Sequence, residues 1–214
     1  MKFSILCSLA LFLFSIRAYA ADDQNGAWFG TFTNKELSKT SSFWAETQLR
    51  FGLEENETQQ ILFRAGFLKR LSDRQGLGLL YGYIETGEVS EHRLALQHTY
   101  KYGSVIGLNA SHRIRLESRR FENSGFGSER FRYLIRFQKQ TESNLKFVLW
   151  DEAFVHLRDN SITGNESFDR NRLFIGFRLK AKAETNLEFG YLNQYVPRNG
   201  QDLSEHLLVL YVFL

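Results

Sequence analysis

The feature that most constrains this chain is an alternation of residue character, clearest in "SERFRYLIRFQ", residues 128–138. Arg130, Arg132 and Arg136 stand on one parity, while Phe131, Tyr133, Ile135 and Phe137 stand on the other. Successive side chains of a strand point to opposite faces, so as a strand this segment has one arginine-rich face and one apolar face. The same period of two recurs along the chain. Residues 43–51 set Phe43, Ala45, Thr47, Leu49 and Phe51 against Trp44, Glu46, Gln48 and Arg50. Ile61, Phe63, Ala65 and Phe67 stand against Leu62, Arg64 and Gly66, and Leu77, Leu79, Tyr81 and Tyr83 against Gly78, Leu80 and Gly82. Leu94 and Leu96 oppose Glu91, Arg93 and Gln97. Residues 105–119 oppose Ile106, Leu108, Ala110, Ile114 and Leu116 to a row that holds Arg113, Arg115, Glu117 and Arg119. Further stretches follow at 145–156, 170–180 and 186–195, and 205–214 is apolar on both parities.

The breaks between these stretches also alternate. Short polar turns are expected near 71–75, 101–104, 140–144 and 181–185, and longer loops near 52–59, 118–128, 157–168 and 196–204. Helical periodicity is hard to find, and Pro197 is the one proline. Short turns at one end and long loops at the other are the pattern of an outer-membrane barrel. The fold expected is all-β, a closed antiparallel up-and-down transmembrane β-barrel of 10–12 strands. The count is open because "WFGTFT", residues 28–33, also reads as a strand and adds an eleventh to the ten that begin at Phe43.

Residues 1–20 read as a secretory signal peptide: Lys2, an apolar run from Phe3 to Ile16, and "AYA" at 18–20 before a cut at Ala21. Residues 21–214 are then a single barrel domain. Cys7 lies in the leader, so the mature chain is exported without any disulfide. Removing Lys2 and Arg17 leaves 25 cations against 24 acids, too balanced for a nucleic-acid partner. Those cations are 17 Arg and 8 Lys. Arginine is favoured where charge is buried, paired or aimed at anions.

Alternation alone leaves two ways to fold. A soluble periplasmic barrel that binds lipid or another ligand buries the apolar row, whereas a membrane barrel turns that row to lipid and the polar row inward. Strands of about ten residues suit a tilted crossing of a bilayer. Tyr and Trp near strand ends (Trp44, Tyr83, Tyr100, Tyr195) suit an aromatic girdle. A cation on the lipid face costs roughly 2–4 kcal/mol at mid-depth, which accounts for apolar rows nearly free of charge. His112 and Asp151 are the exceptions. The membrane reading sends Phe131, Tyr133, Ile135 and Phe137 to lipid and the arginines between them to the lumen.

Several phrases in order, "FWAETQLRF", "SEHRLALQ", "RIRLESRRF", "RFRYLIRFQ", "RNRLFIGFRL" and "LEFGYLNQY", resemble the bacterial outer-membrane family known as domain of unknown function 2490. The resemblance runs from about Trp28 to the end. It implies an outer-membrane β-barrel and brings no catalytic residues with it. The terminal "LVLYVFL" has Phe213 penultimate and Tyr211 two before it, close to the aromatic ending read by the outer-membrane barrel assembly machinery.

On the membrane reading the lumen carries a basic track: Arg50, Arg64, Arg93, Arg113, Arg115, Arg130, Arg132, Arg136, Arg170, Arg172 and Arg178. Its expected acidic partners are Glu46, Glu91, Glu117, Glu152 and Glu188. Such a lumen either closes itself with ion pairs, a structural role, or forms a narrow channel that prefers small anionic solutes. The remaining expected partners are outer-membrane lipid and lipopolysaccharide. A lipid-modifying enzyme is the third reading, and it needs a nucleophile and base within reach. Ser111 and His112 are strand neighbours on opposite faces, and His92 and His98 lie six residues apart on one face, too far to chelate a metal together. The sequence therefore assigns no catalytic residue, no metal site and no cofactor.

Overall fold

A computed structural model describes residues 22–52, 58–87, 89–105, 107–122, 126–141, 144–158, 167–182, 184–198 and 200–214. The expected leader, residues 1–20, lies outside them, as do Ile106 and most of the loops at 52–59 and 157–168. The described residues form eleven strands: β1 (Asp22–Glu36), β2 (Ser41–Gly52), β3 (Thr58–Arg70), β4 (Gln75–Thr86), β5 (Val89–Val105), β6 (Leu108–Phe121), β7 (Gly127–Gln140), β8 (Leu145–His156), β9 (Phe168–Lys180), β10 (Asn186–Val196) and β11 (Leu203–Phe213). Each pairs with its sequence neighbour, and β1 closes on β11 to make a barrel. This is the expected all-β, up-and-down barrel, within the expected range of strand number.

The closing seam departs from the expectation. β1 contains the disputed "WFGTFT" and spans the wall, with eleven residue pairs from Asp22↔Leu203 to Phe32↔Phe213. Ten of the eleven strand pairings are antiparallel, and the β1–β11 pairing is parallel. The reason is parity: direction reverses at each hairpin, so strands one and eleven run the same way. The ten strands expected from Phe43 onward and the one that holds residues 28–33 all belong to the wall.

Two turns also differ. β5 runs past 101–104, through a register shift at Lys101/Gly103, to pair Val105 with Leu108. Gly107 in this turn has φ +77°, a conformation glycine adopts without a Cβ penalty. At the long-loop end β4 and β5 pair up to Thr86↔Val89, so the loops there are not uniformly long.

The alternation sorts the wall as an inside-out barrel. Phe63, Phe67, Leu79, Leu94, Leu96, Ile175 and Leu208 are large apolar side chains exposed on the outer surface. Among the buried side chains are Glu46, Arg64, Arg115, Glu117, Arg130, Arg132, Glu152 and Glu188. A water-soluble protein buries the first set and exposes the second, and a barrel in lipid does the opposite. Phe131, Tyr133, Ile135 and Phe137 lie on the outward parity, as expected. So do Tyr83, Tyr100 and Tyr195, but Trp44 does not. It shares parity with Glu46 and lines the interior, so it belongs to no outer girdle.

The interior is not uniformly polar. Trp28, Val148, Trp150, Phe174, Leu192, Leu207, Val209 and Tyr211 form an apolar cluster inside the wall, on β1 and β8–β11. Phe32 and Phe213 extend it, stacked with ring centres 4.7 Å apart. The double-sided apolarity of 205–214 is thereby explained: one face meets the outside and the other meets this cluster. Gly176 and Gly190 face each other across β9 and β10 under the Phe174 ring. A Cβ on Gly190 would stand 2.3 Å from the Ile175 carbonyl oxygen and 2.6 Å from the Gly176 Cα.

Candidate anion-binding lumen

The eleven arginines of the expected track all point inward, and Arg119 joins them; together these twelve line one cavity of about 460 Å³. Strand geometry places them. Arg113, Arg115 and Arg119 share the inward parity of β6, Arg130, Arg132 and Arg136 that of β7, and Arg170, Arg172 and Arg178 that of β9. Neighbouring strands then bring opposite charges into register, as with Glu117↔Arg130 and Glu152↔Arg172.

Six carboxylates hold nine of the twelve. Glu117, whose side chain is fully buried, accepts from Arg130 Nη2 at 2.6 Å and Nε at 3.1 Å, and from Arg132 Nη1 at 2.6 Å. Glu152 accepts from Arg132 Nη2 at 2.8 Å and Arg113 Nη2 at 2.9 Å. Glu91 takes a forked pair from Arg119 at 2.6 and 3.0 Å and another from Arg93 at 2.5 and 2.7 Å. Glu188 joins Arg136 and Arg178, and Glu46 holds Arg64 at 2.7 Å. These are the five expected acidic partners.

The sixth is Asp169, which accepts from Arg130 Nη1 at 2.6 Å and Arg170 Nη2 at 3.0 Å. By parity Asp169 and Arg170 belong on opposite faces. A register shift between β8 and β9 at Phe154/Val155 breaks the alternation there and lets both engage the interior network. Bulges carry no reliable mark in a single sequence, so parity counting misses this residue.

The other three arginines are held by neutral acceptors. Arg50 donates to Gln60 Oε1 at 2.5 Å and Gln48 Oε1 at 2.9 Å. Arg115 donates twice to Gln97 Oε1, at 2.6 and 3.1 Å, with Glu117 no nearer than 3.9 Å. Arg172 donates through Nε to Gln194 Oε1 at 2.6 Å. A glutamine oxygen satisfies an N–H without neutralising the cation. The lumen is therefore built with positive charge in excess, and Arg115 Nη1, Arg113 Nε and Arg50 Nε are buried with no acceptor among the described residues. Aromatic faces share the load: Arg50 lies 3.9 Å and Arg172 4.8 Å from the Trp28 ring centre, and Arg132 lies 4.4 Å from that of Phe154.

The residues outside this network are placed as follows. Asp151 faces outward in the apolar row of β8 but is only 7% exposed, and both its oxygens accept from Asn171 Nδ2, at 3.2 and 3.1 Å. His112 is also outward, bonded through Nδ1 to the Tyr102 hydroxyl at 2.8 Å; Ser111 is on the opposite face. His92 and His206 stand on the outer surface at the long-loop end. Each lies between a tyrosine and a carboxylate: Tyr81 (2.5 Å) and Glu122 (2.6 Å) for His92, Tyr191 (2.5 Å) and Asp23 (3.2 Å) for His206. A neutral imidazole in such a bridge has both nitrogens satisfied, which suits an interfacial anchor. No group of three or more metal-ligating side chains is found among the described residues.

The model of the family described as "Protein of unknown function (DUF2490)" matches residues 25–205, nearly the whole barrel. The chain belongs to the DUF2490 family. Among solved structures it resembles the NanC porin in a rhombohedral crystal form, with 12% identity, 85% of this chain and 93% of that chain covered, and a TM-score of 0.55. At that identity the likeness concerns the fold alone. LpxR from Salmonella typhimurium aligns over 81% of this chain and 83% of its own at 6% identity and a TM-score of 0.48, too slight to carry an argument. No curated protein matches the sequence.

Proposed function

We propose that this protein is an outer-membrane barrel whose lumen admits small anions, a narrow anion-preferring conduit rather than an enzyme. One observation carries the reading: twelve guanidinium groups line the cavity, and among the described residues six carboxylates hydrogen-bond to nine of them while the other three donate to glutamine oxygens. Glu205 at the rim, bonded to Gln194, does not redress the balance. Excess fixed positive charge between low-dielectric walls attracts anions and repels cations. The porin-like fold and the apolar outer belt are consistent with an outer-membrane location.

A second reading, a filled barrel with a structural role, is favoured by the buried Glu117 network and the apolar cluster on β8–β11. Planar bilayer recording in a potassium chloride gradient separates the two. A conduit passes current with a reversal potential on the chloride side, shifted toward zero in R50Q/R172Q. A filled barrel passes none, and the conduit reading then fails.

A further inference from the structure

The excess charge is not spread evenly round the wall. Arg50 on β2 and Arg172 on β9 are separated in the sheet by β1, β11 and β10, yet both guanidiniums lie over one ring, that of Trp28. Neither is bonded to a carboxylate among the described residues. Arg172 spends only its Nε, on Gln194, and its two Nη groups have no hydrogen-bond partner among the described residues. The Tyr211 hydroxyl has none there either, and Tyr211 lines the same cavity as Arg50 and Arg172. Tyr211 is fixed in place by edge-to-face packing on Phe32 at 5.2 Å and by Gly30, where a Cβ would stand 2.9 Å from its ring. A parallel fork of two N–H donors, a second cation and a hydroxyl on a rigid aromatic floor is a donor set suited to an acceptor with two oxygens.

We infer that Arg172, Arg50 and Tyr211 form a discrete binding station for a small oxyanion, a carboxylate or a phosphate, gripped by the Arg172 fork. This deepens the proposed function, and rests on it only in placing the station along an anion path. Bidentate geometry is what guanidinium offers to a two-oxygen acceptor and what a spherical halide cannot use. The cavity of about 460 Å³ compares with about 30 Å³ per liquid water, so a small solute enters with part of its hydration. The station spans the β1–β11 seam, so it exists only because the eleventh strand closes the barrel.

The test uses the full barrel, purified and folded in detergent, with a heat-modifiable gel band as the check on folding. Sodium acetate and sodium phosphate are titrated by calorimetry against sodium chloride at equal ionic strength. The expected result is saturable binding of acetate, phosphate or both, absent with chloride, and weakened at least tenfold in R172K, which keeps the charge and loses the fork. R120Q, on an outward side chain that is 60% exposed, leaves binding unchanged. Equal response to chloride and both oxyanions, or unaltered binding in R172K, overturns the inference. If R172K does not fold, Y211F serves, with a weaker but measurable loss expected and no change refuting. The comparison of acetate with phosphate tells which oxyanion the station prefers. Conduction without saturable oxyanion binding removes the station and leaves the conduit; saturable binding without conduction does the reverse.

Discussion

Replacing Glu117 with glutamine tests whether the buried network around it is held by charge. Glu117 has a fully buried side chain and accepts three hydrogen bonds from Arg130 and Arg132. Removing one member of a buried ion pair costs about 3–5 kcal/mol, because the other charge is left buried. Here the lower end applies: glutamine keeps the volume and one acceptor, Arg130 keeps Asp169 at 2.6 Å, and Arg132 keeps Glu152 at 2.8 Å. For a chain of this size 1 kcal/mol shifts the midpoint by about 2–4 °C, so E117Q should melt ~6–12 °C below the parent. The assay is thermal unfolding in detergent, followed by far-ultraviolet circular dichroism and by loss of the fast-migrating band. E129Q is the control: Glu129 makes an outer-surface pair with Arg120 at 3.5 Å and is 31% exposed, and such pairs contribute about 0–1 kcal/mol. If E117Q melts within about 2 °C of the parent, the network is screened by water and does not hold the wall together.

Other measurements reach the wall itself. Cysteines placed at Phe29 and Leu210, outward partners across the parallel seam, should form a disulfide on mild oxidation in a chain whose one native cysteine, Cys7, is replaced by serine; failure to cross-link refutes the eleven-strand closure. Gly190→Ala should lower the melting midpoint by several degrees, because backbone stands 2.3 Å from the new Cβ, while Gly82→Ala, with nothing nearer than 3.5 Å, should change it little. Replacing the outward Asp151 and Asn171 together with leucine should leave stability equal or raised, since it removes a charge and an amide from an apolar row; a marked loss would show that the pair is needed where it stands.

Alternation by itself determined the faces. Once "SERFRYLIRFQ" is a strand, Arg130, Arg132 and Arg136 must share a side, and the same count places nine more arginines and five glutamates on the inward parity. That much was legible because a period of two is a local property of the backbone. Strand number was legible only to within one or two, because "WFGTFT" at 28–33 reads as a strand without any local sign of whether it joins the wall. Parity also failed wherever the ladder is irregular, so the shift at Phe154/Val155 hid Asp169 from the sequence. Residue type was a poorer guide than parity where aromatic residues occur on both faces: the girdle reading sent Trp44 outward, whereas its parity with Glu46 sends it inside, since a ring faces lipid or packs inside with equal ease. The choice of which arginines are neutralised belongs to the tertiary structure alone. Whether Arg132 meets two carboxylates and Arg172 only a glutamine is decided by strand register and by contacts across the lumen, between residues far apart in the chain. The Arg50–Trp28–Arg172 arrangement depends on the first strand closing on the last, a long-range contact to which no local pattern in the sequence points.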